Sequence, residues 1–181
     1  MAKTRIKPSA SFLRRLRRVK LFLCDVDGVL TNGTVLLGDD KEYKSFHIQD
    51  GLGMILLMRS GIKVGWISNR PSAVTQQRAT ELKITHLVQG KMNKVEAVEG
   101  ILAKENATWD EVCYLGDDVV DLGVLNRAGA AVAVANAIDE AKAIADYVTE
   151  RQGGDGAVRE VVKLLLAAKG KWAGVIEHFS A

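Results

Sequence analysis

The 181-residue sequence predicts an α/β fold, a doubly wound and mainly parallel sheet that carries a small β-hairpin. Short apolar runs alternate with stretches of helical period along most of the chain, the pattern of strands and helices taken in turn. The first run, Val19–Val26, is apolar almost throughout, as a strand covered on both faces must be. Only one pair of strand-like runs, Thr34–Leu37 and Glu42–Ile48, is joined by a short polar connection, Gly38-Asp39-Asp40-Lys41, and this reads as a hairpin.

Each further element follows from its own signals. Asp50 is read as the N-cap of a helix from about Gly51 to Ser60, which Gly61 closes. Lys63–Ile67 is a strand, and Ser72–Leu82 a helix with Pro71 near its start. His86–Val88 is a short strand, and Asn93–Glu105 a helix with apolar residues at 95, 98, 101 and 102. Glu111–Leu115 is a strand, Val119–Arg127 a helix and Ala130–Val134 a strand. Ile138–Ala145 is a helix, Tyr147–Thr149 a short strand and Val158–Lys169 a helix. Gln152–Gly156 is a glycine-rich loop, and residues 170–181 are read as a tail. The order is that of a Rossmann-like sheet.

Length allows one domain with a substantial core, and 48% hydrophobic and 26% charged residues are ordinary for a globular chain. The net charge of +3 is unevenly spread. Eight of the 25 basic residues lie in positions 1–20, which leaves 17 against 22 acids in the rest. Residues 1–18 are accordingly read as a basic arm or short amphipathic lead-in, and 19–181 as a single domain with a hairpin flap at about 33–49. The arm is not a signal peptide, because Asp25 and Asp27 break the apolar run that follows, and no run is long enough to span a membrane. Only Phe12 interleaves the basic residues, which argues against nucleic acid. Cys24 and Cys113 sit inside apolar strands, as reduced core thiols of a cytoplasmic protein would.

Ligands of such sheets bind beyond the carboxyl ends of the strands. There, strand one ends in Asp25-Val26-Asp27-Gly28, another strand in Ser68-Asn69-Arg70, and a third in Gly116-Asp117-Asp118, with Asp121 a turn later. So many carboxylates on one rim repel unless a cation lies between them, and oxygen ligands suit a hard divalent ion. A carboxylate is also a competent nucleophile toward phosphorus, given a proton donor for the leaving oxygen and donors to the phosphoryl oxygens.

The motif order carries a resemblance. Asp-x-Asp-Gly-Val at 25–29, a hydroxyl residue at Ser68, a lysine in Gly90-Lys91-Met92-Asn93-Lys94 and Gly-Asp-Asp-x-x-Asp at 116–121 resemble the haloacid dehalogenase superfamily. The stretches DVDGVLTNG, FHIQDGLG, YLGDDVVDL and GGDGAVRE narrow it to the branch with only a hairpin as cap, whose substrate is 3-deoxy-D-manno-octulosonate 8-phosphate. The resemblance runs from about residue 19 to about 170.

It implies a Mg²⁺-dependent phosphatase of lipopolysaccharide biosynthesis that works through a phospho-aspartate on Asp25. Asp25, Asp27 (through its carbonyl) and Asp117 would ligate the metal, and Asp118 and Asp121 would orient its waters. Asp27 would be the general acid and base, while Ser68 and Lys94, rather than Lys91, would hold the phosphoryl group. Asn69 and Arg70 would bind substrate, although the superfamily usually has Thr-Gly-Arg where this chain has Ser-Asn-Arg. The resemblance also implies a cytoplasmic homotetramer with its hairpins packed together and its C-terminal tails reaching neighbouring sites.

Rival readings differ in order or in parts. A nonulosonate phosphate is an alternative substrate. A catalytically inactive regulatory module would tend to lack the Asp25–Asp27 pair. A signalling receiver would place its phosphorylated aspartate after the third strand, and a dinucleotide-binding fold would need a G-x-G-x-x-G turn after the first.

Overall fold

The computed structural model describes residues 7–38 and 41–180. The hairpin tip at Asp39-Asp40 and the first six residues of the basic arm lie outside them. Six parallel strands form the main sheet: β1 (Leu21–Cys24), β4 (Lys63–Ser68), β5 (His86–Gln89), β6 (Val112–Gly116), β7 (Ala130–Ala133) and β8 (Tyr147–Val148). Their order is β5-β4-β1-β6-β7-β8. The antiparallel pair β2 (Leu36–Gly38) and β3 (Lys41–Tyr43) stands apart as the hairpin.

The order turns around β1. The chain leaves β1 toward β4 and β5 on one side, then crosses to β6, β7 and β8 on the other, so the carboxyl end of β1 is a switch point where a crevice opens. Register makes this exact: Cys24 lies level with Trp66 on β4 and with Leu115 on β6, so the residues after all three strands emerge together.

Helices pack in two groups. α1 (Ala10–Leu16), α2 (Ile48–Arg59), α7 (Ala157–Ala168) and α8 (Trp172–Ser180) form one, with α3 (Ala73–Leu82) against α2. α4 (Lys94–Glu105), α5 (Leu122–Leu125) and α6 (Asp139–Ile144) form the other. Every residue of β1, β6 and β7 is buried between them. α7 shows the packing rule clearly: Val158, Val161, Val162, Leu165 and Leu166 recur at helical spacing and are all buried, each stabilising by ~1.5–3 kcal/mol.

Several elements differ from the sequence reading. The basic arm, for which an amphipathic lead-in is one of the two readings, includes helix α1, capped by Ser9 and with Phe12 and Leu16 buried. Asp50 is not a cap: α2 begins at Ile48 behind His47, and Asp50 sits buried in its first turn. From there its carboxylate accepts a hydrogen bond from the Arg159 amide at the start of α7 (2.7 Å), a long-range partner that local sequence does not reveal. The second hairpin strand ends at Tyr43 because Lys44 turns inward and Phe46 stacks on the core Trp66 (6.2 Å). The segment read as helix Val119–Arg127 is a 3₁₀ turn at Val119–Asp121 followed by the short α5. Most of the tail is helix α8, with Trp172 lying under the Arg159 guanidinium of its own chain (5.2 Å).

Candidate active site

The loop after β1 is wound tightly on itself. The amides of Val29, Leu30 and Thr31 all point to the Val26 carbonyl (3.4, 2.9 and 3.2 Å), and the buried Thr31 hydroxyl accepts from Gly28 and Gly33. Gly28 has φ of +100°, and a Cβ there would collide with the Asp117 carboxylate. Only glycine therefore lets the β1 and β6 loops meet. The glycine-rich loop packs behind this turn, where the Gly154 amide donates to the Val29 carbonyl (2.9 Å) and Gly153 lies against Gly28. It buttresses the loop rather than lining the mouth.

At the front, three carboxylates converge. Oxygens of Asp25, Asp117 and Asp121 all lie within 4.8 Å of one another. The Lys94 ammonium, at the first position of α4 behind the Asn93 cap, sits between Asp25 (2.8 Å) and Asp121 (2.7 Å) and is buried. Asp121 is fully committed to the protein. One of its oxygens accepts from Lys94 and the Tyr114 hydroxyl (2.6 Å), the other from the amides of Asp117 (2.9 Å) and Asp118 (3.3 Å).

Asp25 and Asp117 are in a different position. Burial, then the Asp121 charge, raises the Asp25 carboxyl to about 6 against the favourable pull of Lys94. Burial, then Asp25 and Asp121, raises Asp117 to about 8. Asp117 Oδ1 is also buried without a hydrogen-bond partner. Two carboxylates side by side, one of them with an orphaned buried oxygen and both reluctant to ionise in this setting, fit a hard divalent cation.

The remaining residues read from sequence form the rim. Ser68 is buried, and its hydroxyl bonds the Arg70 amide (3.2 Å) and carbonyl (3.0 Å). Asn69 donates to the Met92 carbonyl (3.3 Å), tying this turn to the loop that delivers Lys94, while Lys91 stays exposed. Arg70 is exposed and pairs with Glu42 of the hairpin (2.7 Å). Asp118 is exposed and caps the following turn by accepting from Val119 (2.7 Å), so its carboxylate is not part of the buried cluster. Asp27 meets Lys44 (2.6 Å).

Three residues here escaped the sequence reading. Tyr114 looked like core because it lies in an apolar strand, and the usable signal was that a buried phenol needs a hydrogen-bond partner. Lys44 and Glu42 fall within the second strand-like run of the hairpin, and nothing local marks them out.

Known proteins share this chain's sequence pattern and fold. Residues 66–161 match the model of the haloacid dehalogenase-like hydrolase family. The chain is 41% identical over 164 residues to the 3-deoxy-D-manno-octulosonate 8-phosphate phosphatase KdsC of Escherichia coli K12, covering 90% of this chain and 87% of that one. The corresponding phosphatase of Moraxella catarrhalis, solved with magnesium, phosphate and 3-deoxy-D-manno-octulosonate, superposes with a TM-score of 0.91 at 38% identity, over 93% of this chain and 97% of that one. The cobalt-bound phosphatase of Haemophilus influenzae gives 0.85 at 37% identity, over 88% and 94%. The chain belongs to the haloacid dehalogenase-like hydrolases, in the group of the 3-deoxy-D-manno-octulosonate 8-phosphate phosphatases.

Proposed function

We propose that this chain hydrolyses 3-deoxy-D-manno-octulosonate 8-phosphate, or a close phosphorylated sugar acid, by way of a phospho-aspartate on Asp25. The observation that carries the reading is the Asp25–Lys94 pair set beside the orphaned oxygen of Asp117 at the switch point of the sheet. A magnesium ion held by the carboxylates of Asp25 and Asp117 and the carbonyl of Asp27 would neutralise the phosphoryl group and the acids around it.

The chain's own residues account for the rest. A carboxylate oxygen of Asp25 forms the bond to phosphorus as the sugar oxygen leaves with a proton from Asp27. Asp27 then takes a proton from the water that cleaves the acyl phosphate, which returns Asp25 and frees phosphate. Lys94 supplies fixed positive charge to the phosphoryl oxygens, and Ser68 supplies its hydroxyl once turned from the Arg70 carbonyl. Asp121 holds Lys94 and the amides of Asp117 and Asp118 in place, and the exposed Asp118 would orient waters of the metal.

Arg70 would take the substrate carboxylate. One of its donors is used by Glu42, and a guanidinium has five, so a bidentate grip on a second carboxylate is still available. Asn69 lies beside it on the same turn. The exposed Leu36, Leu37 and Tyr43 of the hairpin give an apolar face for packing against copies of itself, which supports a homotetramer. A cytoplasmic location agrees with the two buried free thiols, and no described helix is long and apolar enough to cross a membrane.

The direct test is a panel of phosphate esters assayed with and without Mg²⁺. The octulosonate 8-phosphate should exceed glucose 6-phosphate in kcat/KM, and EDTA should abolish turnover of both. Equal efficiency on the two sugars would overturn the substrate, and activity after full chelation would overturn the metal.

A further inference from the structure

We infer that Lys44 is the residue that positions Asp27, so that the stem of the hairpin sets how well the site expels a basic leaving group. This rests on the reading of Asp27 as proton donor.

Lys44 belongs to the flap, yet its side chain is fully buried. Its ammonium lies 2.6 Å from Asp27 Oδ1, 3.2 Å from Thr75 Oγ1 and 3.4 Å from a Glu42 carboxylate oxygen. Two of its three N–H groups donate to Asp27 and Thr75, and the Glu42 carboxylate lies beside the third as an ion pair, so the ammonium is surrounded by partners of its own chain. Lys44 acts through Asp27 and is not itself catalytic. Among the described residues, no other side chain bonds the Asp27 carboxylate.

The anchors of Lys44 are themselves fixed. Thr75 is buried in the first turn of α3, where its amide is capped by Ser72 (3.2 Å). Glu42 accepts from Arg70 (2.7 Å) and from the Ser72 hydroxyl (3.1 Å). The hairpin stem is thus tied both to the loop after β1 and to the turn after β4, with Asp27 held at the join.

A buried ion pair is weak evidence for stability, because desolvation offsets its attraction. Its geometric effect is different. In the first step the Asp25–phosphorus bond forms, the phosphorus–oxygen bond breaks, and the Asp27 proton passes to the departing oxygen. An alkoxide requires that proton, whereas a nitrophenolate leaves without it. Misaiming Asp27 should therefore injure alkyl esters selectively.

The experiment compares kcat/KM for an alkyl phosphate and for p-nitrophenyl phosphate in Lys44→Met, which keeps the stem volume. This ratio counts only steps up to leaving-group departure, so later cleavage of the phospho-aspartate drops out. Positioned general acids contribute about 10²–10⁴-fold, so the alkyl ester should lose ~10²-fold and the aryl ester less than ~10-fold. Added to Asp27→Asn, Lys44→Met should cost nothing further, because the two act as one unit. Calorimetric Mg²⁺ affinity should stay within about twofold, as expected of a residue outside the metal's ligands.

Thr75→Val, which removes one anchor, should lower the alkyl-to-aryl ratio in the same direction and decides the matter if Lys44→Met does not fold. Equal loss on both esters, no loss on either, multiplying effects with Asp27→Asn, or a matching loss of Mg²⁺ affinity would each overturn the inference. The test uses the ratio between esters of one variant, so it stands whichever sugar acid proves the better substrate. The substrate itself is decided separately, by the wild-type panel.

Discussion

The carboxylate cluster and the hairpin face each other across the same mouth and are built in opposite ways. In the cluster, Asp121 accepts four hydrogen bonds and Lys94 makes two ion pairs at the carboxyl ends of the central strands, with the Asp121 and Lys94 side chains out of solvent. The hairpin has strands of three residues each, with Leu36 and Leu37 about two-thirds exposed. Among the described residues of the hairpin, Glu42 and Lys44 of its stem make the ion pairs to the body. The cluster gains rigidity from burial and carries an electrostatic penalty that a cation relieves. The hairpin gains little from its own fold and is placed by what it touches. The proposed chemistry sits on the first kind of structure, and the proposed recognition and assembly on the second.

Substitutions on the two sides should separate accordingly. Asp25→Asn keeps shape and hydrogen-bonding capacity but removes the nucleophile, so kcat should fall by ~10⁴-fold or more, the size expected when one member of a catalytic unit is lost. Circular dichroism should show the fold intact. Turnover near the wild-type rate in the purified variant would end the distinction drawn above.

The cluster's penalty should be visible without any substrate. Asp117 and Asp25 hold their protons to about 8 and about 6 in the folded, metal-free chain, against 3.8 as the ordinary value. The folded state then binds more protons than the unfolded one between those values. Their contribution to stability is fully present below about 4 and is lost as pH rises through 6 and 8. The metal-free melting temperature should therefore gain from this cluster as pH is lowered from 8.5 toward 5. Magnesium should reverse that trend, and at a hundred times its dissociation constant should add ~2.7 kcal/mol. A metal-free melting curve insensitive to pH across this window would show that the acids are not strained.

On the hairpin side the effects should be smaller and selective. Arg70→Ala removes a charge-assisted contact worth ~1.5–3 kcal/mol, so KM for the sugar-acid phosphate should rise at least ~10-fold. For p-nitrophenyl phosphate it should barely move. Equal losses on both would return Arg70 to a structural role, as the partner of Glu42. Leu37→Asp should change stability least, within ~0.5 kcal/mol, because the side chain is already in water. Light scattering should nonetheless show a smaller assembly. An unchanged oligomer would leave the apolar face of the hairpin without the proposed use.

Much of this was legible in the chain itself. The apolar run before Asp25, the alternation of strand and helix, and the position of each acidic motif after a strand required only local pattern. Parallel register then brings those strand ends to one level, which is why Asp25, Asp117 and Asp121 could be read as neighbours although the first and last are 96 residues apart, whereas the choice of Lys94 came from the family resemblance. Hydrophobic periodicity is a local property and survives translation into sequence.

What only the tertiary structure decided depends on which long side chain turns inward. Asp50 satisfies the amide of Arg159 across the molecule instead of capping its own helix. Tyr114 reaches Asp121 from within a strand, and Lys44 leaves the hairpin surface to be buried against Asp27. A buried polar group must find a partner, but sequence does not say where that partner is. The sequence by itself determined the fold and the acids of its rim, because burial follows pattern. Pairing among buried charges follows three-dimensional proximity, and only the folded chain supplies it.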